Sequence, residues 1–278
     1  MVLRLFGAEP TSVYGILGTD ENSATFALGW VLDRSPAFAA ALVNDLLGIR
    51  GIEHENLVIE LQRHGSDRGF TDIEIICRNK YHIIIEAKRG WTLPSDIQLQ
   101  KYSRRLSKDG QCGATIVSMS AASGEYATNR LPKEVLGIPL VHRSWADVRQ
   151  IALEAHRTTR SFEQKLWIRE LAEHLKEYVS LRNSRDNLVY VVSLSNREIR
   201  DGGGYTWIDV VEKDERYFHP VGNHWPVLPP NYIAFRYYGQ LQSVHHIKDY
   251  KVVTDLSSLK ARWPDTESDH FVYQLGPA

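Results

Sequence analysis

The sequence predicts an α/β protein in which a central mixed sheet is flanked by helices and is followed by a small β-rich domain. Helix-like and strand-like patterns alternate up to about residue 184. A strongly apolar strand at 81–88 ends abruptly in an acid and a base, as a buried strand does where it opens into a site. From about residue 187, short strands punctuated by glycine and proline replace the helices. The predicted domains are therefore residues 1–184 and 185–278.

Two helices are predicted near the N-terminus. Apolar residues recur at three- and four-residue intervals over 20–47, and Pro36 predicts a break between two helical pieces. Thr19 or Asp20 can cap the first helix. Glu21 then lies in the first turn, where the helix dipole favours a carboxylate.

Three strands are predicted next, at 57–62, 70–77 and 81–88, and the tight connection between the last two predicts a hairpin. Pro94 opens a helix that leads to a further strand at 114–120. A helix between two strands acts as a crossover, so these strands are predicted to pair in parallel.

A strand at 138–142 and a long amphipathic helix over 161–181 are predicted to complete the first domain. The apolar face predicted for that helix consists of Phe162, Leu166, Leu171, Leu175 and Tyr178. The second domain is predicted to contain only short strands, among them TWIDVVE (206–212) after a glycine turn at 202–204, and to form a compact barrel.

Composition and charge limit the classes of function. The chain is 43% hydrophobic and 24% charged, which is ordinary for a soluble globular protein. Its net charge of −1 means that a local patch must hold any nucleic acid. Cys77 and Cys112 form neither a zinc-type cluster nor a disulfide framework, and no apolar run is long enough to cross a bilayer. We therefore expect a cytoplasmic protein that does not associate with a membrane.

Acidic and basic side chains converge on the predicted hairpin. Residues two apart in a strand share a face, so Glu86 projects with Lys88, and Asp72 projects with Glu74 from the preceding strand. The hairpin then places Asp72 beside Glu86. Two adjacent carboxylates repel, which raises a pKa or recruits a divalent cation, and hard oxygen ligands suit Mg²⁺ or Mn²⁺.

This arrangement suits phosphodiester cleavage. A metal would neutralise the phosphate and lower the pKa of an attacking water, while Lys88 would orient that water or help to deprotonate it. The alternative is an ordinary polar sheet face with a Glu–Lys pair. The next helix favours the catalytic interpretation, because Gln98 and Tyr102 share one of its faces. It also carries a local basic patch, predicted to bind nucleic acid, that consists of Lys101, Arg104, Arg105 and Lys108.

The pattern of Asp72, thirteen further residues, Glu86-Ala87-Lys88 and then Gln98-x-x-x-Tyr102 on a helix resembles the PD-(D/E)xK nuclease superfamily. The Gln/Tyr element is similar to that of its RecB-like branch. The resemblance covers about the first half of the chain and implies a restriction-endonuclease-like core. Thr71 stands in the place of the motif's proline.

The resemblance also implies roles for these residues. Asp72, Glu86 and the Ala87 carbonyl would hold the metal, Lys88 would act at the water, and the helix residues Gln98 and Tyr102 would hold ligands or phosphate. The family often adds an acid from its first helix, for which Glu21 is the candidate, with Glu60 and Glu74 as alternatives.

We therefore expect a Mg²⁺- or Mn²⁺-dependent deoxyribonuclease that acts in restriction, phage defence or repair. DNA is preferred to RNA as the expected substrate, and the β-rich domain is expected to select the substrate or a partner. The alternative is a non-catalytic nucleic-acid-binding or structural subunit that retains the fold; intact Asp72, Glu86 and Lys88 argue against it. Endonuclease and exonuclease activity both stay open, and so does a homodimer.

The histidines and aromatic residues of the β-rich domain are interpreted as structural. The histidine spacing fits no usual zinc pattern. The aromatic residues could stack on exposed bases but more often form a core. The residues concerned are His219, His224, His245, His246 and His270, and Trp207, Trp225, Tyr232, Phe235, Tyr237 and Tyr238.

Overall fold

The chain divides into two compact units, Met1–Ser180 and Leu181–Ala278. The computed structural model describes residues 3–5, 9–18, 20–48, 57–65, 69–109, 113–179, 188–199, 203–222, 224–226 and 228–278, except for the side chains of Lys108, Asp109, Glu177 and Val179. The boundary predicted between residues 184 and 185 lies outside the described residues.

The described part of unit 1 begins with a short 3-10 helix and continues with alternating helices and strands. The helices are the 3-10 helix Val13–Leu17, α1 (Glu21–Arg34), α2 (Pro36–Leu47), α3 (Asp96–Asp109), α4 (Gly124–Thr128), α5 (Trp145–Thr158) and α6 (Phe162–Val179). The strands are β1 (Val58–His64), β2 (Phe70–Cys77), β3 (Tyr81–Ala87), β4 (Gly113–Ser120), β5 (Glu134–Val135) and β6 (Ile138–Ser144).

The six strands form one mixed sheet in the order β1-β2-β3-β4-β6-β5. β1, β2 and β3 are antiparallel, whereas β3, β4 and β6 run parallel, and β5 pairs with β6 antiparallel. The predicted hairpin and the predicted parallel pairing across α3 are both confirmed. Asn79 turns the hairpin with a positive φ of 62, a conformation that asparagine tolerates better than most residues.

The two N-terminal helices begin where capping residues are available. The Asp20 side chain accepts a hydrogen bond from the Ser23 amide at 2.7 Å, so Glu21 is the first residue of α1. Ser35 caps α2, and Pro36 occupies its first turn. The predicted break between these helices is therefore confirmed.

Strand β3 is buried along its whole length because helices cover both faces of the sheet. Ile83 and Ile85 pack in one cluster with apolar residues of α1, α2, α5 and α6. Ile84 packs on the other face with residues of α3, including Leu99 and Leu106. The sheet thus carries its charged site residues on the α3 face, at the end of a strand that is fixed from both sides.

The buried face of α6 differs from the prediction. Leu171 and Leu175 are buried as predicted, but Phe162 is 84% exposed and Leu166 37% exposed. The apolar face is completed by Ile168 and Ala172. The reason is that, at about 3.6 residues per turn, Phe162 and Leu166 lie on the opposite side of the helix from Ile168, Leu171 and Leu175.

Unit 2 is built around a five-stranded sheet. Its described elements are β7 (Val189–Ser193), α7 (Trp207–Glu212), β8 (Arg216–Pro220), β9 (Tyr232–Tyr237), β10 (Gln240–Val253) and β11 (His270–Leu275), and the strand order is β7-β9-β10-β11-β8. The long strand β10 pairs first with β9 and then with β11. Among the described strands no pairing joins β7 to β8, so the predicted closed barrel is wrong for this part of the chain.

The segment TWIDVVE was predicted as a strand and is instead the helix α7. Thr206 caps this helix and forms a reciprocal capping box with Asp209. Of the glycine turn at 202–204, Gly202 lies outside the described residues, and Gly204 has a positive φ of 61.

Within the described part of the chain, no single helix has the length and apolar character to cross a membrane. The consecutive helices α1 and α2 meet that test only when taken together, and they are bent by 114°.

Candidate functional site

Asp72 and Glu86 lie on neighbouring strands at the end of the hairpin. The pairing of Ile73 with Ile85 brings Asp72 opposite Glu86 on the α3 face of the sheet. The Ala87 amide donates a hydrogen bond to Asp72 Oδ2 at 2.7 Å, which fixes one oxygen of that carboxylate. This geometry agrees with the proximity expected from the sequence. We call the group of Asp72, Glu86, Ala87 and Lys88 the Asp72–Glu86 site.

Three donors surround the Glu86 carboxylate, which is only 3% exposed. Its Oε1 atom accepts hydrogen bonds from Lys88 Nζ and, at 2.6 Å, from Gln98 Nε2. Its Oε2 atom accepts a hydrogen bond from the Tyr102 hydroxyl. The structure therefore brings the predicted Lys88, Gln98 and Tyr102 together on one buried carboxylate.

Helix α3 positions Gln98 and Tyr102 one turn apart on the face that it buries against the sheet. Gln98 Oε1 accepts hydrogen bonds from the Ser95 amide and hydroxyl, each at 3.1 Å, which leaves its amide nitrogen directed at Glu86. Burial and the nearby Glu86 charge raise the pKa of Tyr102 far above its ordinary value. Tyr102 is therefore a protonated donor to Glu86 at any working pH.

Main-chain contacts fix Lys88 at the end of β3. Its amide donates to the Met119 carbonyl at 2.7 Å, and its carbonyl accepts from Trp145 Nε1 at 3.3 Å. Burial alone would lower the pKa of Lys88, but the Glu86 carboxylate and the charges of Glu21 and Asp72 outweigh it and raise that pKa. Lys88 is therefore a cation at neutral pH and acts as a hydrogen-bond donor in this arrangement.

Glu21 approaches the same lysine from the first turn of α1. Its Oε1 atom lies 3.6 Å from Lys88 Nζ, and its Oε2 atom accepts a hydrogen bond from the Arg89 amide at 3.0 Å. The alternative acid Glu60 instead pairs with Arg63 at 3.0 Å. Of the three acids that could supply an additional carboxylate, Glu21 lies within ion-pair distance of Lys88.

The electrostatics of Asp72 differ from those of an ordinary surface carboxylate. Burial and the neighbouring Glu86 charge raise the pKa of Asp72 to about 6, although the hydrogen bond from Ala87 acts in the opposite direction. The site also brings three carboxylates, those of Asp72, Glu86 and Glu21, near the one ammonium group of Lys88, which is an excess of negative charge. A bound cation would relieve this excess, which is the usual behaviour of paired carboxylates that hold a metal.

Glu74, the other alternative acid, belongs to a separate internal cluster. Its side chain is fully buried and accepts hydrogen bonds from Arg63 at 2.7 Å, from Thr71 at 2.8 Å and from Arg105 at 2.9 Å, while His82 Nε2 lies 2.7 Å away. Burial would raise the pKa of Glu74, but these donors outweigh it and lower that pKa to about 2. We call these five residues the Glu74 cluster.

The predicted basic patch is only partly on the surface. Arg105 is 13% exposed, belongs to the Glu74 cluster and also donates to the Gly69 carbonyl at 3.1 Å, so its contacts are internal. Lys101 lies close against Gly69 and is partly buried, whereas Arg104 is exposed. The side chain of Lys108 lies outside the described residues. Arg104 is therefore the clearest surface cation of the predicted patch.

The oxygen atoms of the Asp72–Glu86 site can be matched to the ligands that a divalent cation prefers. Among the described residues, no three His, Cys, Asp or Glu side chains form a ready-made metal cluster. The carboxylates of Asp72 and Glu86 with the Ala87 carbonyl nevertheless provide hard oxygen donors, and Glu21 adds a third carboxylate near the single ammonium group of Lys88. This donor set fits Mg²⁺ or Mn²⁺, with Lys88 as a competitor for Glu86 Oε1.

Two polar residues near Asp72, Gln62 and Asn22, were not predicted from the sequence. Gln62 of β1 donates to Asp72 Oδ1 at 3.2 Å and to Asn22 Oδ1 of α1 at 3.1 Å. Gln62 occupies no position of the motif and its backbone has a positive φ of 49. No sequence pattern indicates that conformation, so Gln62 could not be predicted as a residue of this site.

The histidines of unit 2 have structural contacts where these are described. His219 is 1% exposed. Its Nδ1 atom lies 2.7 Å from the Pro220 carbonyl oxygen, and its Nε2 atom lies 2.9 Å from the Tyr273 hydroxyl oxygen. Burial lowers the pKa of His219 to about 4, so it is neutral at pH 7. Of the aromatic residues considered for base stacking, Phe235 is fully buried and Tyr238 is 72% exposed.

Comparison of the chain with protein-family models, with curated proteins and with solved structures gives no match.

Proposed function

We propose that unit 1 is a divalent-metal-dependent nuclease of the PD-(D/E)xK type, with a restriction-endonuclease-like core, and that it hydrolyses phosphodiester bonds in DNA. The observation that carries the proposal is the meeting of Asp72, Glu86 and Lys88 at the end of one buried hairpin, with Gln98 and Tyr102 bonded to the same glutamate. These residues come from two strands and a helix, and an ordinary polar sheet face does not require all of them.

Each residue has a distinct part in this proposal. Gln98 and Tyr102 hold the Glu86 carboxylate in one orientation. The Ala87 amide does the same for Asp72. Lys88, held cationic by the surrounding acids, orients the attacking water and stabilises the charge that develops on the phosphate.

Asp72, Glu86 and the Ala87 carbonyl would hold the cation, and Glu21 would add an acid beside Lys88. When bound, the metal supplies charge neutralisation at the phosphate and a more acidic attacking water. Competition between the cation and Lys88 for Glu86 would release the ammonium group toward the substrate.

The preference for DNA, and roles in restriction, phage defence or repair, rest on the family resemblance. Unit 2 is proposed to select the substrate or a partner. The exposed Tyr238 is a candidate base-stacking residue of that unit.

The test is incubation of the full chain with circular DNA, linear DNA and RNA, in the presence of Mg²⁺, Mn²⁺ or EDTA. We expect cleavage of DNA that EDTA abolishes. Lys88→Ala prepared in parallel should be inactive, and Lys133→Ala, which changes an exposed lysine of the same unit, should be fully active. Absence of cleavage by the wild-type chain on every substrate would favour the non-catalytic alternative, and equal activity of Lys88→Ala would overturn the role assigned to Lys88.

A further inference from the structure

Gln62 adopts an unusual backbone conformation next to the Asp72–Glu86 site. It belongs to β1, whose pairing with β2 joins Leu61 to Ile73 and Arg63 to Thr71 in one continuous register, so Gln62 lies opposite Asp72. The φ of 49 at Gln62 lies in the left-handed region, which costs energy for a residue that has a Cβ atom. Such conformations persist where surrounding contacts enforce them, and they concentrate at functional sites.

The contacts that enforce this conformation lead to the proposed metal ligand. A glutamine amide nitrogen carries two hydrogens, and Gln62 directs one to Asp72 Oδ1 and the other to Asn22 Oδ1. Asn22 is the second residue of α1 and follows Glu21, which lies near Lys88. Gln62 therefore links the two elements that carry the acids Asp72 and Glu21.

We propose that Gln62 is a positioning residue that fixes the Asp72 carboxylate for metal binding and ties it to the first turn of α1. This inference rests on the proposed function. The Ala87 amide holds Asp72 Oδ2 and Gln62 holds Asp72 Oδ1, so the two donors together define the plane of the carboxylate. Partners of this kind orient metal ligands, and their loss typically weakens metal binding by roughly 10–100-fold.

A purely conformational role for Gln62 makes a different prediction. If only the turn of the backbone matters, glycine should replace Gln62 without loss, because glycine adopts a positive φ without strain. If the amide matters, both Gln62→Gly and Gln62→Met should fail, although methionine is similar in length. The two variants therefore separate the side-chain role from the backbone role.

The experiment is calorimetric titration of Mn²⁺ into the full chain, with thermal melting of each metal-free variant. We expect Gln62→Met and Gln62→Gly each to raise the Kd for Mn²⁺ by roughly 10–100-fold. Gln62→Gly should melt at or above the temperature of Gln62→Met, because it relieves the backbone strain. Gln100→Met is the matched control: it makes the same change at an exposed position of α3 and should bind as wild type does. Asp72→Asn, which alters the proposed ligand itself, gives the Kd for Mn²⁺ that is expected when the site is lost.

Each result decides the inference. Wild-type affinity in Gln62→Met, with Asp72→Asn defective, would overturn the role of Gln62 and leave the proposed function intact. Wild-type affinity in Gln62→Gly alone would reduce Gln62 to its backbone conformation and also overturn the inference. Failure of the wild-type chain to bind Mn²⁺ would overturn both the inference and the proposed metal dependence.

Discussion

Asp72 and Glu74 are carboxylates on the same face of β2, separated by one residue, but their surroundings differ. Asp72 accepts hydrogen bonds from a main-chain amide and a glutamine, and it lies opposite a second carboxylate, Glu86. Glu74 accepts hydrogen bonds from two arginines and a threonine. Burial and the Glu86 charge raise the pKa of Asp72 to about 6, whereas the donors around Glu74 outweigh its burial and lower its pKa to about 2.

On the proposed function, this contrast is one between a structural carboxylate and a metal-binding one. The Glu74 cluster supplies positive charge in excess of its single acid and shields that acid from solvent, so it needs nothing further to be stable. The Asp72–Glu86 site holds two acids near one lysine, with Glu21 close by. The proposed function assigns the compensation of this negative charge to a bound cation.

The largest expected effect is that of Lys88→Ala on turnover. Loss of a positioned cationic donor should lower the cleavage rate by roughly 10²–10⁴-fold. Melting temperature should also fall, because the buried Glu86 carboxylate loses its cationic partner, so the cleavage rate is taken per folded molecule. Cleavage rate and melting temperature measured on one preparation check this, and a strong loss of stability with retained cleavage would make Lys88 a structural ion-pair residue.

The opposite outcome is expected in the Glu74 cluster. Glu74→Gln leaves Arg105 and Arg63 without their buried anionic partner, and breaking a buried pair typically costs about 3–5 kcal/mol. Chemical denaturation should show this loss at pH 7, whereas metal-dependent cleavage per folded molecule should be retained. If Glu74→Gln abolished cleavage without loss of stability, the division between the two groups of residues would be wrong.

Asp72→Asn should remove a pH-dependent loss of stability from the metal-free protein. The folded pKa of about 6 exceeds the ordinary 3.8, so the folded state binds more protons between these values and the wild type loses stability as pH rises through that window. Asparagine removes this pH-dependent loss, which should be about 1–3 kcal/mol between about pH 4 and pH 7, while its amide nitrogen faces one of the two donors at every pH. Denaturation of both proteins across this pH range tests the sign, and a wild type whose stability relative to the variant does not fall as pH rises would contradict the raised pKa.

The smallest effect is expected at the surface. Arg104→Ala should leave stability within about 0.5 kcal/mol of wild type and should reduce the salt dependence of DNA binding by about one phosphate contact. Binding of the uncleaved duplex in EDTA, measured at several salt concentrations, checks this. Because the Arg105 side chain is engaged with Glu74, Arg105→Ala should instead lower the melting temperature.

Strand pairings and helix starts that depend on one local sequence pattern were predicted correctly. Alternation in two apolar strands joined by three residues predicted the hairpin, and its register brought Asp72 beside Glu86. Asp20 and Pro36 marked the starts of α1 and α2 correctly. These features depend on neighbouring residues and on the period of the strand or helix, which a single sequence contains.

Features that depend on distant partners could not be predicted. Arg105 looked like part of a surface patch, and only the fold brings Glu74 of another element against it. The left-handed conformation of Gln62 likewise depends on Asn22 and Asp72. The segment TWIDVVE is too short for its period to distinguish strand from helix, and the Thr206–Asp209 capping box was the local signal that favoured a helix.

The most direct test of the central claim is an NMR pH titration of the Asp72 and Glu74 side-chain carboxyls, with and without Mg²⁺. The account predicts that Asp72 titrates near pH 6 in the metal-free protein and at least one unit lower with saturating Mg²⁺, whereas Glu74 titrates near pH 2 in both. An Asp72 carboxyl that titrates near its ordinary 3.8 and does not respond to Mg²⁺ would contradict a metal site at this position.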